Sequence, residues 1–455
     1  MFGQVLGASL TFPKGIRSPI RGIHLAGARG ALKMMADMIP QTVSANHQEA
    51  PIILGILIVT YLALAIGHIP GLKINRTGIA LLGAISMLII GGITTEQAVA
   101  AISWPTMFLL FGFSVMSAQL RLSGFYDKVA EGISSRVGHP ARLLLTLMAV
   151  TGGLSAFLNH DIVCLVLAPI VAAALLRHQL NPVPFLVGLA ISSNIGAAAT
   201  LIGNPQNMMI GQLVHLTFGR YILWSTVPVL FAMGSAYGII WILSSKSLRT
   251  TIPPPASPLC PEIPFNRSHT IKGLVVLAIV IGMLFSSVPK EVIALTAAAI
   301  HLASPKFHTD ELLKHVEWPI LILFMGLFVV TGAFQSTGYG KQVVDSLAQH
   351  GFHLEIPLNL VIATTALTTL IGNAPAVMLL LKVLHLSTLI PAYVLALANS
   401  FSGNLFIVGS VANIIVVHQA RSVGAKISLW DFSRLGIPVT LVALGGLLAW
   451  VALLS

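Results

Sequence analysis

From residue 52 onward the chain alternates long apolar runs with short polar joints. Runs near the length that crosses a hydrocarbon core, about 17 to 25 residues, lie at roughly 52–70, 76–92, 104–120, 221–244, 269–287, 291–304, 318–335 and 431–454. Each predicts a membrane helix. Between Arg142 and Arg177 the apolar pattern is interrupted once, by Asn159-His160-Asp161. As one helix this stretch would be about 51 Å long, too long for one crossing and too short for two, so a re-entrant hairpin is expected.

Two further runs are broken by polar residues and glycines, "SSNIGAAATLIGNPQN" at 192–207 and "NSFSGNLFIVGSVAN" at 399–413. In hydrocarbon an unpaired backbone group costs several kcal/mol, so unwound backbone is tolerated only where protein buries it or it lines a cavity. Asn204-Pro205 has the order of an N-cap followed by a first-turn proline, and Gly203 permits the turn before it. Gly409-Ser410 offers the same start in the second run. Helix starts at Asn159 and Asn373 bring the total to four. Converging helix N-termini favour an anion. Unwound carbonyls near Gly196, Thr200, Gly203 and Gly409, with the oxygens of Asn194, Asn204, Asn207, Ser402, Asn404, Ser410 and Asn413, suit a small cation. A proline kink or small-residue packing is the structural alternative, but it does not explain why the break occurs twice.

The pattern itself repeats. Residues 78–160 return at 292–374 with a constant offset of 214: Ala80-Leu81 as Ala294-Leu295, Trp104-Pro105 as Trp318-Pro319, Gly112 as Gly326, Gly124 as Gly338 and Asn159 as Asn373. Farther on the offset becomes 206, pairing Gly203 with Gly409 and Asn207 with Asn413. Each half then carries an odd number of crossings, and two odd copies insert with opposite orientation, as in inverted-repeat secondary transporters. The halves are read as 51–244 and 268–455, joined by the proline-rich linker 245–267.

Composition agrees with an integral membrane protein: 455 residues, 56% hydrophobic, 9% charged and mean hydropathy +0.90. A net charge of +11 raises the question of nucleic acid, but no basic patch interleaved with aromatics is present, so no nucleic-acid partner is expected. The cations instead set topology. With the first span running inward, the loops facing the cytoplasm hold 16 Lys and Arg, whereas the opposite loops hold Arg220, Lys290, Lys341 and Lys382, in keeping with the positive-inside rule. Residues 1–50, with Lys14, Arg17, Arg21, Arg29 and Lys33, read as a basic interfacial tail. Cys164 and Cys260 make neither a disulfide framework nor a metal cluster.

Among the acids only Asp161 falls deep inside an expected membrane element, the others lying in loops or near helix ends, which makes it the leading coupling residue. It can hold sodium or carry a proton, with His160 sharing that proton; capping the second hairpin arm is the structural alternative. A sodium ion is expected near Asn159, Asp161 and Gly203. The repeat places Ala374-Pro375 where the first half has His160-Asp161, so the coupling chemistry is asymmetric. Cys164, one turn beyond Asp161, reads as a small buried hydrophobe.

The stretches "SNIGAAATLIGNPQN", "FLNHDIVCLVLAPIV" and "GNLFIVGSVANIIV" resemble the ion transporter superfamily, which includes divalent anion/sodium symporters, arsenical pumps and sodium/proton antiporters. The "GNPQN" wording is most similar to bacterial anion permeases. The resemblance covers residues 52–455 and implies an all-α polytopic fold with two re-entrant hairpins and two broken helices. It also implies a scaffold (52–121 and 268–336), an elevator-type transport domain (142–244 and 355–454), horizontal arms at 123–140 and 337–354, and a homodimer. Of the symporter pattern Ser-Asn-Thr at each hairpin tip, this chain keeps only the Asn, and an Asp following Asn159 leans toward the arsenical and antiporter branches.

The function expected is secondary active transport of a small inorganic or organic anion or oxyanion across a bacterial inner membrane, coupled to sodium or protons and without a cofactor. Arsenite or antimonite efflux and sodium/proton antiport are the alternatives. The lack of an arginine inside a span weighs against a multiply charged anion. An enzyme is not expected: there is no Walker-type loop, no HExxH and no second deep aspartate for an intramembrane hydrolase. A passive channel would show neither saturation nor dependence on a coupling ion.

Overall fold

The computed structural model describes residues 49–67, 73–134, 138–246, 248, 264–304, 308–384 and 389–454. The basic tail up to residue 48 and most of the proline-rich linker lie outside them. Regular structure among the described residues is helical: twenty α-helices fall into two sets of ten. The first set is α1 (Ala50–Ile66), α2 (Arg76–Ile89), α3 (Thr95–Ala101), α4 (Trp104–Leu122), α5 (Phe125–Ser134), α6 (Pro140–Phe157), α7 (His160–Arg177), α8 (Val183–Ala197), α9 (Pro205–Leu213) and α10 (Phe218–Ser244). The second is α11 (Arg267–Met283), α12 (Lys290–Leu302), α13 (Thr309–Lys314), α14 (Trp318–Ser336), α15 (Tyr339–Gln349), α16 (Pro357–Ile371), α17 (Asn373–Val383), α18 (Leu389–Ser402), α19 (Val411–Ser422) and α20 (Leu429–Leu454).

Local chemistry explains many of the boundaries. Asn75 caps α2 through Gly78 N, and Thr94 with Gln97 forms a reciprocal capping box on α3. Trp104-Pro105 and Trp318-Pro319 place a proline in the first turn of α4 and of α14, where its missing N–H costs nothing. The chain bends by 57° between α3 and α4.

The two sets interlock. α2 packs along α14, and α12 packs along α4. A β-carbon on Gly112 would lie 2.5 Å from the carbonyl oxygen of Ala294, and one on Gly326 would lie 2.8 Å from that of Ala80. Under the 214-residue offset this is one contact made twice with partners exchanged, the two-fold relation an inverted repeat requires. α6 packs along α8, α16 along α18, α7 along α19, and α10 along α20. Large apolar side chains such as Val59, Leu62, Leu223, Leu230, Ile242, Leu441 and Leu453 point outward, as a lipid-facing surface demands.

Helix lengths refine the expectations. Five described helices are long and apolar enough to cross a membrane, α6, α7, α10, α14 and α20, and the bent α3–α4 pair makes a sixth. The runs read at 76–92 and 291–304 fold as helices of 14 and 13 residues, only about 20 Å long. The first hairpin spends two residues on its turn, leaving arms of 18 residues each, and either arm matches a crossing in length. What makes this pair a hairpin is its buried tip, where Asn159 meets Ser117 of α4 and Glu317 just ahead of α14. The arms of the second hairpin have 15 and 11 residues.

Candidate functional site

The two breaks have one construction. In the first, Asn204 caps α9 by accepting from Asn207 N at 2.7 Å, with Pro205 in the first turn. Asn207 then turns its Nδ2 back to the freed carbonyls of Ala197 (3.4 Å) and Thr200 (2.9 Å) and to the Tyr221 hydroxyl (3.1 Å). In the second, Asn413 Nδ2 donates to the carbonyls of Gly403 (2.7 Å) and Phe406 (3.2 Å). Shifting Ala197, Thr200 and Asn207 by 206 residues gives Gly403, Phe406 and Asn413. A β-carbon on Gly203 would lie 2.3 Å from the Ala197 carbonyl, and one on Gly409 would lie 3.0 Å from that of Gly403. The amides of Asn207 and Asn413 are therefore committed to unwound backbone, whose burial without partners would cost about 1–3 kcal/mol per group.

The breaks also meet across the repeat. Asn194 Nδ2 donates to Asn404 Oδ1 and Asn413 Oδ1, each at 2.9 Å, while Asn194 Oδ1 accepts from Ser410 Oγ at 2.9 Å. Ser410 precedes α19 without capping it, because its hydroxyl is spent on Asn194. Asn204 Nδ2 reaches Ser400 Oγ at 3.2 Å. Thr200 Oγ1 donates to the Ala156 carbonyl, tying the first break to the first hairpin, and Ser402 Oγ pairs with Thr365 Oγ1 at 2.8 Å, tying the second break to the second.

At the first tip, Asn159 caps α7 by accepting from Asp161 N at 2.9 Å, and its own N–H points to Ser117 Oγ at 3.4 Å. Its Nδ2 donates to a carboxylate oxygen of Glu317, the residue before α14. His160 and Asp161 are buried, with His160 Nε2 3.5 Å from Asp161 Oδ1. Neither His160 Nδ1 nor Asp161 Oδ1 has a hydrogen-bond partner. Asp161 is thus not the sole acid at the site. In the sequence Glu317 lies just ahead of the apolar run 318–335, and its hydrogen bond with Asn159, 158 residues away, is what brings it to this tip.

The second tip is built differently. Gly372 alone makes the turn, at φ +88 and ψ 167, a conformation essentially reserved for glycine. Asn373 is therefore the first helical residue of α17, one step past the capping position its repeat partner Asn159 holds. The Asn373 carbonyl accepts from Asn399 Nδ2 at 3.1 Å, and Asn373 Oδ1, Asn399 Oδ1 and Asn404 Nδ2 are buried without partners. Arg76, which opens α2 and reads in sequence as a loop cation, donates from Nη2 to the Val408 carbonyl at 3.2 Å. Its Nη1 lies 3.3 Å from where a β-carbon on Gly372 would be. Tyr61 approaches the same tip, its hydroxyl 3.5 Å from the Pro375 carbonyl.

Other residues singled out in sequence fall outside this arrangement. Gly196 lets α8 touch α6, since a β-carbon there would lie 2.2 Å from the Gly152 carbonyl oxygen. Cys164 is buried and free in α7. No group of three or more His, Cys, Asp or Glu with metal-binding placement occurs among the described residues. A cleft of about 590 Å³ lined by Gln212, Lys290 and Glu291 opens beyond the end of α9 and contains none of the expected site residues.

A repeated all-helical array whose two broken helices are hydrogen-bonded to each other between buried helix starts defines a polytopic membrane transporter. Residues 52–389 match the family model described as citrate transporter, CitMHS, and the chain belongs to that family, within the superfamily its motifs resemble. An uncharacterised transporter of Mycobacterium tuberculosis is 30% identical over 394 residues, covering 82% of this chain and 92% of the relative. A silicon efflux transporter of Oryza sativa subsp. japonica is 27% identical over 447 residues, with 82% and 92% covered. The crystal structure of the YdaH transporter of Alcanivorax borkumensis superposes with a TM-score of 0.52 at 15% identity, covering 89% of this chain and 98% of that one; this likeness shows the fold. The protein is a multi-pass membrane transporter.

Proposed function

We propose that this protein is a secondary active transporter that moves a small anion or oxyanion across a bacterial cell membrane, driven by a sodium or proton gradient. The observation that carries this reading is the polar junction of the two breaks, where Asn194 from one repeat holds Asn404, Ser410 and Asn413 from the other. So many buried amides and hydroxyls in one layer are costly without a purpose, and broken helices meeting between repeats are where such transporters bind. The family's description as citrate transporters supports an organic anion. The rice relative, a silicon efflux transporter, supports an oxygen-rich inorganic solute.

In this reading α1–α4 and α11–α14 form the scaffold, α6–α10 and α16–α20 form the moving transport domain, and α5 and α15 are the horizontal arms. The protein works as a homodimer, as the resemblance implies. Asn159, Asp161 and Glu317 hold the coupling ion. The pairing of Asp161 with His160 at 3.5 Å favours sodium/proton antiport as the second reading.

The test is uptake into proteoliposomes of purified protein containing a pH-sensitive dye, under imposed sodium or proton gradients, with citrate, succinate, sulfate, phosphate and arsenite offered singly. Saturable, gradient-dependent movement of one anion is the expected result. Sodium-driven proton movement with no anion present, abolished by Asp161→Asn, establishes the antiporter instead.

A further inference from the structure

We propose that Arg76 is the charge-reading residue of the site: its guanidinium, held at the start of α2, binds the carboxylate or oxyanion group of the substrate at the tip of the second hairpin. The inference rests on the transport reading and narrows it to substrates that carry negative charge.

The guanidinium is in place for this task. One donor is spent on the Val408 carbonyl, in the short 3-10 turn Ile407–Gly409 of the second break, and the fork lies against Gly372, the turn of the hairpin. Arginine offers five N–H donors in a rigid plane suited to a planar carboxylate or a phosphate-like group. Arg76 makes one hydrogen bond and no ion pair among the described residues. It is half-buried. A charge withdrawn from water without a counter-charge is costly, and a bound anion removes that cost.

The surroundings favour the same occupant. Helix α17 begins at Asn373, so the amides of Asn373 and Ala374 precede Pro375 with no intrahelical acceptor. Where the first tip carries His160 and Asp161, this one carries Ala374 and Pro375, so the tip itself brings no acid to the guanidinium. Arg76 also does not act as an interfacial anchor: its partners are 332 residues away in sequence at Val408 and at the hairpin turn. The repeat-equivalent cation, Lys290, opens α12 and lines the cleft together with Glu291 and Gln212.

The experiment compares wild type, Arg76→Gln and Arg76→Lys in proteoliposomes, with Lys73→Gln as an exposed-cation control, using citrate, sulfate and phosphate as anionic probes and arsenous acid as an uncharged one. Arg76→Gln is expected to raise the half-saturating concentration of the transported anion at least tenfold, Arg76→Lys by less, and Lys73→Gln not at all, with uptake of the uncharged probe unchanged. In parallel, wild-type protein is treated with phenylglyoxal, and the transported anion is expected to protect Arg76 from modification as read by mass spectrometry. This second measurement stands even where Arg76→Gln does not fold. Unaltered anion affinity in a folded Arg76→Gln, equal loss of charged and uncharged solutes, or no anion protection of Arg76 overturns the assignment while leaving the transporter reading intact. Wild-type protein that moves ions but no anion removes the anion reading itself.

Discussion

The two hairpin tips occupy equivalent places in the repeat and carry opposite chemistry. The first presents Asn159, His160 and Asp161 and meets the carboxylate of Glu317. The second presents Gly372, Asn373 and Ala374 and meets the guanidinium of Arg76. Symmetry accounts for the backbone, since both breaks are held by an asparagine returning to two repeat-equivalent carbonyls. The side chains differ: one tip meets a carboxylate and the other a guanidinium, which in the proposed reading suit a cation or proton and an anion respectively. In the proposed reading, a repeated fold binds unlike ions by keeping its architecture and changing a few residues at each tip.

The largest effect is expected from removing the acidic end. Asp161→Asn should lower gradient-driven transport by about tenfold or more, the scale of coupling free energies, while exchange of substrate across the membrane without a gradient persists; counterflow in proteoliposomes separates the two. Equal loss of both would mean that Asp161 is structural. Glu317→Gln should act in the same direction. The double variant should fall well short of the product of the single effects, because residues in one network are not additive. Full additivity would detach Glu317 from the tip.

Backbone substitutions come next. Gly372→Ala forces a side chain into a glycine conformation costing about 1–3 kcal/mol and should lower the thermal midpoint in detergent, whereas Asn159→Ala removes a cap worth about 1 kcal/mol. A larger loss in the second variant would reverse the expected order of the two tips. Asn207→Ala and Asn413→Ala should each destabilise by about 1–3 kcal/mol, and by similar amounts if the breaks are equivalent. The smallest effect belongs to Cys164→Ala, expected to cost about 1 kcal/mol for a small buried group and to leave arsenite uptake unchanged. Loss of arsenite uptake alone would make the thiol a ligand.

The sequence by itself determined the apolar runs, the two-fold repetition, both breaks and the capping of α9 by Asn204. Each of these is local, set by hydropathy over a turn or two, by a proline in the first turn, or by residues at fixed offset. The hairpin tips were legible as interruptions at Asn159 and Asn373, but not the one-residue difference between a cap and a first helical residue, which follows from the turn at Gly372. Glu317 and Arg76 were visible only as charges flanking apolar runs, and hydropathy cannot distinguish a charge facing water from one turned inward onto a distant element. Only the tertiary structure decided that. Packing α2 and α14 across the repeat sets Arg76 on one tip and Glu317 on the other, because electrostatic partnership depends on distance in space, and these pairs lie more than 150 residues apart along the chain.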